Sequence, residues 1–162
     1  MHHDSDITAL RAACAEANSF TELVPIALTE LSKFVTGAEM VCGPITTGGR
    51  GSIEANIEVF NATIAALQSE DKPIFNQVPY EEQILRLRML WETVSPENVG
   101  KYCMPLLEDF YLPLFKSGHF RHGWFIPGWQ SSYGATWERR QLSELGIVVT
   151  DLTEEWVDHA LK

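Results

Sequence analysis

The stretch GWQSSYGATWERRQLSELGIVV, from Gly128 to Val149, decides the fold because it holds a loop, a helix and a strand in close succession. The short apolar run WFIP precedes it, and Gly146 is placed to cap the end of the helix. A helix between two strands predicts a βαβ unit with a parallel pair of strands. In chain order the predicted parts are a strand at Trp124 to Pro127, a loop at Gly128 to Gly134, a helix at Ala135 to Leu145 and a strand at Ile147 to Thr150.

The loop of this unit is suited to holding an anion. Ser131, Ser132 and Gly134 come just before the helix, where backbone N–H groups and hydroxyls meet the positive end of the helix dipole. Glu138 follows about one turn later, and helical side chains lean toward the N-terminus. We therefore expect the Glu138 carboxylate to point at whatever the loop holds, and we expect the helix start to keep it ionised.

The composition indicates one acidic domain. A chain of 162 residues with 45% hydrophobic content is long enough for one core, and a net charge of −10 argues against nucleic acid or anionic membrane as a partner. Cys14, Cys42 and Cys103 lack metal-binding spacing, which is typical of reduced, buried thiols in a cytoplasmic protein. No basic leader and no run of about 20 apolar residues is present, so we expect neither secretion nor membrane insertion.

Residues 4–35 have the apolar spacing of two helices, with a break near Asn18 to Thr21 and Pro25 in the first turn of the second helix. We treat residues 1–38 as an N-terminal helical extension and residues 39–162 as the α/β domain. Amphipathic helices most often cover a core, so packing on the sheet is favoured. A dimerisation element is the alternative.

A second loop has the same arrangement of strand, loop and helix. The strand EMVCG, from Glu39 to Gly43, runs into the glycine-rich loop PITTGGRGS, and a strongly periodic helix follows with Ser52 as its N-cap. The loop matches neither the ATPase phosphate loop nor the usual dinucleotide fingerprint. It is either a binding loop or a flexible turn. Its candidate ligand-binding residues are Gly43, Thr46, Thr47 and Arg50.

The remaining elements complete an α/β pattern. A strand is predicted at Lys72 to Gln77, and helices are predicted at Tyr80 to Trp91, Tyr102 to Lys116 and Glu154 to Leu161. The order predicts an open parallel sheet, Rossmann-like or flavodoxin-like, with helices on both faces. Both loops then lie at the carboxyl edge of the sheet, and they are neighbours if the first and third strands pair. Glu81 and Glu82 open a helix, where the dipole alone accounts for them.

The segments CGPITTGG, IFNQVPYE and PGWQSSYGATWERRQLSELGIVV together resemble the nucleoside 2-deoxyribosyltransferase superfamily. The similarity is greatest to a small uncharacterised branch and extends more distantly to the nucleoside-monophosphate N-glycosidases. It covers residues 39–151. Its most specific part is the pattern S-x-G-x-x-x-E, here Ser132, Gly134 and Glu138, followed by a helix and the strand GIVV. The family's tyrosine after the first strand is absent, since Pro44 and Ile45 stand there.

The resemblance implies an enzyme that cleaves or transfers the N-glycosidic bond of a nucleoside or nucleoside 5′-monophosphate. Glu138 would be the nucleophile of a retaining mechanism, and Asp109, next to Glu108, the acid near the leaving base. The glycine-rich loop would face the sugar or its 5′-phosphate, with Trp129 available for stacking on a base. By the resemblance the binding residues are Gly43, Thr46, Thr47, Arg50, Trp129, Ser132 and Gly134.

Two other functions are consistent with the sequence. One is a nucleotide-binding or sensor protein that has the pocket without turnover, and the other is a structural oligomer assembled through its N-terminal helices. The resemblance also implies a homodimer or higher oligomer. No metal and no organic cofactor is expected.

Overall fold

The computed structural model describes the backbone of residues 2–162 and the side chains of residues 6–162. Within them the fold is α/β, with three parallel strands in the order β1-β2-β3 and helices on both faces. The strands are β1 (Ala38–Cys42), β2 (Phe120–Phe125) and β3 (Val148–Asp151). The α-helices are α1 (His2–Ala15), α2 (Phe20–Leu31), α3 (Ile53–Ser69), α4 (Glu81–Val94), α5 (Leu112–Lys116), α6 (Tyr133–Glu144) and α7 (Glu154–Ala160), and a π-helical stretch (Leu106–Tyr111) leads into α5.

The βαβ unit around α6 forms as predicted. β2 pairs in parallel with β3, and Ser132 caps α6 by accepting a hydrogen bond from the Ala135 amide through its hydroxyl at 3.2 Å. Gly146 follows the helix with a φ of 73°. β2 begins at Phe120, four residues earlier than the predicted start. β1 pairs with β2 on its other edge, so the two loops that follow these strands are neighbours.

The sheet is smaller than predicted, because the segment Lys72 to Gln77 does not form a full strand. It makes one parallel bridge, between Ile74 and Glu39. Two backbone hydrogen bonds hold it there, from Glu39 N to Pro73 O at 2.9 Å and from Phe75 N to Glu39 O at 2.8 Å. Pro73 has no N–H group to donate to a neighbouring strand, and the chain forms a 3-10 helical turn at residues 78–80. The prediction of a fourth strand is therefore wrong, and the Rossmann-like assignment stays a prediction.

The sheet separates two hydrophobic clusters. On one face Met40, Cys42 and Phe125 pack with apolar side chains of α1, α2, α4, α5 and α6. On the other face Val41 and Ile126 pack with apolar side chains of α3 and α7. This alternation follows from the period of two along each strand. The glutamate-bearing helix α6 thus lies on the same face as the N-terminal helices.

The N-terminal helices are part of the main core. Leu23, Ala27 and Leu31 of α2 have no exposed surface, and they pack in the same cluster as the sheet. This arrangement favours the packing interpretation over a separate dimerisation element. Pro25 lies in the second turn of α2 rather than in its first, so the predicted position was wrong by one turn.

The cysteines are free and buried, as predicted. Among residues 2–162, none of the helices combines the length and the apolar character needed to span a bilayer.

Glu39 anchors one side of the sheet through buried hydrogen bonds. Its side chain is 4% exposed and accepts from Trp124 Nε1 at 2.9 Å and from Arg121 Nε at 2.9 Å. Burial alone would raise the pKa of Glu39, but the hydrogen bonds from Trp124 and Arg121, with the charge of Arg121, hold it below its ordinary value. His122 stacks on the Trp124 ring at 4.3 Å between centroids.

Replacing Glu39 with Gln should make the free energy of unfolding less dependent on pH below about pH 5. Because the folded-state pKa of Glu39 is depressed, its contribution is present above the unfolded value of 4.5 and is lost as the pH falls through the folded value. We expect the wild type to lose on the order of 1 kcal/mol more unfolding free energy than Glu39→Gln between about pH 5 and pH 3. Urea unfolding across this range measures it, with exposed Glu58→Gln as the control. Equal slopes in wild type and Glu39→Gln would contradict the prediction.

Candidate functional site

A cleft lies beside the carboxyl end of β1, between α4, α6 and the π-helical stretch. Its cavity volume is only about 40 Å³. Apolar side chains such as Leu106 and Ile84 form much of its wall. Its polar and charged residues are Thr46, Gln77, Glu81, Arg88, Tyr102, Tyr111, Ser132 and Glu138.

Glu138 is buried in the cleft with one carboxyl oxygen unpaired. It is 7% exposed, and within the described structure its Oε2 atom has no hydrogen-bond partner. Burial raises the pKa of Glu138 to about 8, a hydrogen bond with the Cys42 thiol acts in the opposite direction, and the negative charge of Glu81 raises it further. The expectation that the helix start keeps Glu138 ionised was wrong. Glu138 is the sixth residue of α6, beyond the first turn in which the dipole acts, whereas burial acts in full.

Glu81 is a second carboxyl group of the cleft with an altered protonation equilibrium. It opens α4 and is half-buried. Burial raises its pKa to about 7, and the charge of Arg88, two turns further along the same helix, acts to lower it. Two neighbouring carboxyl groups that both favour the protonated form hold at least one proton between them at neutral pH. Such a pair can supply both an acid and a carboxylate to one ligand.

Gln77 and Tyr102 complete the polar lining. Gln77 is 2% exposed, and its Oε1 atom, like Glu138 Oε2, has no hydrogen-bond partner among the described residues. Burial, with the charge of Glu138, raises the pKa of Tyr102, so its hydroxyl stays protonated. An unpaired buried acceptor costs about 1–3 kcal/mol. The two unpaired oxygens therefore indicate that the cleft is complete only when a donor from a ligand or from water enters it.

Five of the residues predicted from the sequence lie together in this cleft. They are Gly43, Thr46, Ser132, Gly134 and Glu138. Gly134 is required there, because an added Cβ atom would lie 2.6 Å from the Tyr102 hydroxyl. The Ser132 hydroxyl is used as the N-cap of α6, so it shapes the helix start beside the cleft.

The other predicted residues lie outside the cleft. Arg50 lines a separate hollow of about 320 Å³ between the glycine-rich loop and the loop after β2, with its guanidinium 3.8 Å from Asp158. Thr47 is exposed on the glycine-rich loop. Asp109 and its neighbour Glu108 are exposed on the π-helical stretch and do not line the cleft.

Trp129 packs in the fold rather than facing the cleft. Its ring meets Phe125 edge to face at 5.6 Å between centroids, and the Arg139 guanidinium lies 4.9 Å from its centroid. Arg139 in turn forms an ion pair with Asp151 at the end of β3. This stack fixes the start of α6 against the sheet.

The two loops meet as predicted, and their own polar groups are largely engaged. Gly49 N donates to Ser131 Oγ at 3.0 Å, which joins the glycine-rich loop to the loop after β2. Ser131 N donates to Gly128 O, and Ser132 N donates to Trp129 O, both at 3.0 Å. These contacts use amides that the sequence suggested for an anion. The loop pair is therefore better described as a wall of the site than as a preformed anion cradle.

Asn56 of α3 holds the glycine-rich loop in place. It is 3% exposed, its Nδ2 atom donates to Ile45 O at 3.0 Å and to Gly48 O at 3.2 Å, and its Oδ1 atom accepts from Arg50 N at 2.8 Å. An added Cβ atom on Gly49 would lie 2.4 Å from Asn56 Oδ1, so the loop can pass this side chain only with glycine there. The side-chain amide of Asn56 thus pairs with three backbone groups of the loop that no strand or helix pairs.

Several cleft residues were not singled out from the sequence as site residues. The signal for two of them was present, because Gln77 and Glu81 follow the segment that runs beside β1, and the ends of parallel strands share one edge. Cys42, in β1, had no polar pattern of its own. Arg88 comes from α4 and Tyr102 from the irregular segment before the π-helical stretch. Their positions over the cleft depend on long-range packing, and no local pattern marks them.

Replacing Asn56 with Ala should release the glycine-rich loop and destabilise the fold. Three hydrogen bonds are lost and three backbone groups lose their partner, so we expect a loss of about 2–3 kcal/mol of unfolding free energy. Urea unfolding measures the loss. Asn61→Ala, an exposed position on the same helix, is the matched control and should stay within about 0.5 kcal/mol of wild type. A similar small loss for Asn56→Ala would show that the loop does not depend on it.

Replacing Glu138 with Gln should stabilise the protein, and more so at higher pH. A folded pKa of about 8, above the unfolded 4.5, means that folding costs free energy once the unfolded carboxyl ionises and the folded one does not. The wild type should therefore lose stability from about pH 5 to pH 8, on the order of 3 kcal/mol relative to Glu138→Gln. Parallel denaturation series measure the difference. A wild type that gains stability over this range relative to the variant would contradict the buried, protonated carboxyl.

Comparison of the chain with models of protein families, with curated proteins and with solved structures finds no match. The resemblance to the nucleoside 2-deoxyribosyltransferases therefore stays a prediction from motifs. What the chain can do chemically is argued from the cleft: two carboxyl groups of raised pKa and two unpaired buried oxygens on one narrow opening.

Proposed function

We propose that the protein cleaves or transfers the N-glycosidic bond of a nucleoside or nucleoside 5′-monophosphate, with Glu138 as nucleophile. The observation that carries the proposal is the unpaired Oε2 atom of Glu138, buried in a cleft beside a second carboxyl group. Retaining glycoside cleavage needs this combination, one carboxylate to attack the sugar and one acid to protonate the leaving group. The motif resemblance supports the same residue as nucleophile.

In the first step Glu138 Oε2 attacks the anomeric carbon of the sugar. The bond from that carbon to the base nitrogen breaks, its electron pair stays on the base, and the base takes a proton from the protonated Glu81 carboxyl group. A glycosyl ester of Glu138 results. Glu81 replaces Asp109 in the acid role, because Glu81 lines the cleft with Glu138 whereas Asp109 is exposed outside it.

In the second step the Glu81 carboxylate takes a proton from water, and the water oxygen attacks the anomeric carbon and displaces Glu138. A second base in place of water gives transfer instead of hydrolysis. Both carboxyl groups exchange a proton near neutral pH, but the pKa of Glu138, about 8, lies above that of Glu81, about 7, so the shared proton favours Glu138 in the empty cleft. Attack by Glu138 therefore requires substrate binding to reverse this order and to place the proton on Glu81.

Binding requires the cleft to widen. The 40 Å³ that water can enter holds far less than a sugar and a base, which need a pocket of several hundred cubic ångströms. Tyr102 lines the cleft, and Tyr133, which is 53% exposed, packs on its outer side with the two rings tilted and their centroids 4.5 Å apart; this pair is the outer wall. Movement of this pair admits the substrate, and its return covers the sugar. Gln77 Oε1 then receives a donor from a sugar hydroxyl or an amino group of the base.

The test is chromatography of free base released from ribo- and deoxyribonucleosides and their 5′-monophosphates, with and without a second base. We expect release by the wild type, and a kcat at least about 10³-fold lower for Glu138→Gln. Glu81→Gln should lower kcat by about 10²–10⁴-fold for natural bases, with a much smaller loss for a 4-nitrophenyl riboside, whose leaving group needs no acid. Asp109→Asn is the matched control for Glu81→Gln.

Each outcome assigns or removes a role. Strong loss in Asp109→Asn with little loss in Glu81→Gln would return the acid role to Asp109. Unchanged release by Glu138→Gln would exclude the glutamate nucleophile. No release from any of these substrates by the wild type would exclude the enzyme for this class of compound.

The pKa of Glu138, about 8, keeps the candidate nucleophile protonated near neutral pH and favours one alternative, a nucleotide-binding or sensor protein that uses the pocket without turnover. A binder and an enzyme differ in what Glu138→Gln changes. In the enzyme the variant keeps the ligand and loses release of base, whereas a binder releases no base with either residue. Isothermal titration of wild type and variant with the same nucleosides separates the two.

A further inference from the structure

A second hollow lies between α1, α2 and the segment from Lys72 to Tyr80. Its volume is about 360 Å³, within the range of small-molecule sites, and it shares no lining residue with the Glu138 cleft. Its wall is largely apolar, which suits the body of an organic ligand. The apolar residues of the wall are Ile7, Leu10, Phe34, Pro73, Ile74, Phe75 and Pro79.

Tyr80 gives this hollow a polar group that the fold itself does not use. The residue has no exposed surface, its ring lies 5.6 Å from Phe75 and 5.7 Å from Phe110 between centroids, and its hydroxyl has no hydrogen-bond partner among the described residues. Phenylalanine would fill the same aromatic space without a stranded hydroxyl. Burial raises the pKa of Tyr80, with the charges of Cys14 and Glu30 adding to the effect, so the group stays protonated and can both donate and accept.

Among the described residues, the charged side chains that line the hollow are two acidic and two basic, namely Asp6, Glu30, Lys33 and Lys72. Lys33 Nζ lies 2.9 Å from Glu30 Oε1, and the Lys72 ammonium lies over the Trp124 ring at 5.6 Å from its centroid. A charged ligand would find little unbalanced charge to pair with. A neutral one loses less hydration on entering an apolar wall.

We propose that this hollow is a binding site for a small neutral molecule with a planar apolar body and one hydroxyl or amide group that hydrogen-bonds to Tyr80. The apolar wall takes the body. The Tyr80 hydroxyl, which has no exposed surface in the empty hollow, takes the polar group once the occupant displaces the side chains that cover it. Asn76 lines this hollow and the next residue, Gln77, lines the Glu138 cleft, so an occupant here contacts the segment that also positions Gln77. The site stands independently of the function proposed for the cleft.

The probes for the test are 4-methylphenol and toluene, which share a ring and differ in the hydroxyl. We titrate each into the ¹⁵N-labelled full chain and follow the amide resonances by NMR. We expect saturable shifts at Leu10, Phe34 and Phe75, and 4-methylphenol should bind about fivefold more tightly than toluene because it makes one more hydrogen bond. The Gln77 amide should shift with them.

Variants separate this site from adventitious binding. Tyr80→Phe keeps the ring but removes the hydrogen-bond partner, so 4-methylphenol should lose its advantage and bind no more tightly than toluene, whereas Leu10→Trp fills the hollow and should bind neither. Ala9→Trp, an exposed position on the same helix, is the control for the added indole and should bind as wild type does. Ile7→Trp fills the same space if Leu10→Trp does not fold. Shifts that never saturate, that lie elsewhere, or that persist with the same preference in Tyr80→Phe would overturn the proposal.

Discussion

The pairing of β1 with β2 is the interaction on which the rest of the structure depends. Cys42 and Phe125 lie opposite each other at the carboxyl ends of these strands although 83 positions separate them in the chain. This register brings the glycine-rich loop against the loop after β2, where Gly49 meets Ser131. It also sets α6 beside the end of β1, so that the Cys42 thiol reaches Glu138. A shift by one residue would turn Cys42 toward the other face and leave Glu138 without its neighbour.

The sequence correctly predicted the features that depend on a few neighbouring residues, such as a helix cap and a helix end. The N-cap Ser52 and the glycine after α6 are set by a few neighbouring residues, and both form as predicted. Ser132, whose hydroxyl was expected to be free for an anion, caps α6 instead. The strand at Lys72 to Gln77 failed because a strand needs a partner ladder, which Pro73 interrupts. Within the site, Glu138 could be placed from its spacing behind a serine and glycine loop. The cleft residues of α4, Glu81 and Arg88, could not be placed from the sequence, since their position depends on how whole helices pack.

Burial of carboxyl groups sets the chemistry of the cleft and works against stability. Glu138 and Glu81 are held where ionisation is unfavourable, and the hydrogen bonds available to them within the chain do not compensate. Asn56, buried to a similar degree, has every polar atom paired and serves the fold. The contrast separates buried polar groups that serve the fold from buried polar groups whose hydrogen bonds the fold leaves unmade. By the same criterion the Tyr80 hydroxyl belongs with Glu138 and Gln77.

The narrowness of the cleft is consistent with a site that assembles around its substrate. A carboxyl of raised pKa can attack only in its ionised form, and a hydrogen-bond donor on an incoming molecule raises the fraction that is ionised. A closed wall limits the access of water to the same oxygen. The Tyr102 and Tyr133 rings provide such a wall, since Tyr102 packs on Gly134 and Tyr133 is largely outside. Their displacement breaks the aromatic contact between them and the hydrogen bond that the Tyr133 hydroxyl donates to Met104 Sδ. The part of the site that an entering molecule has to displace is thus its outer wall, whereas the carboxyl pair lies on two helices that pack in the main core.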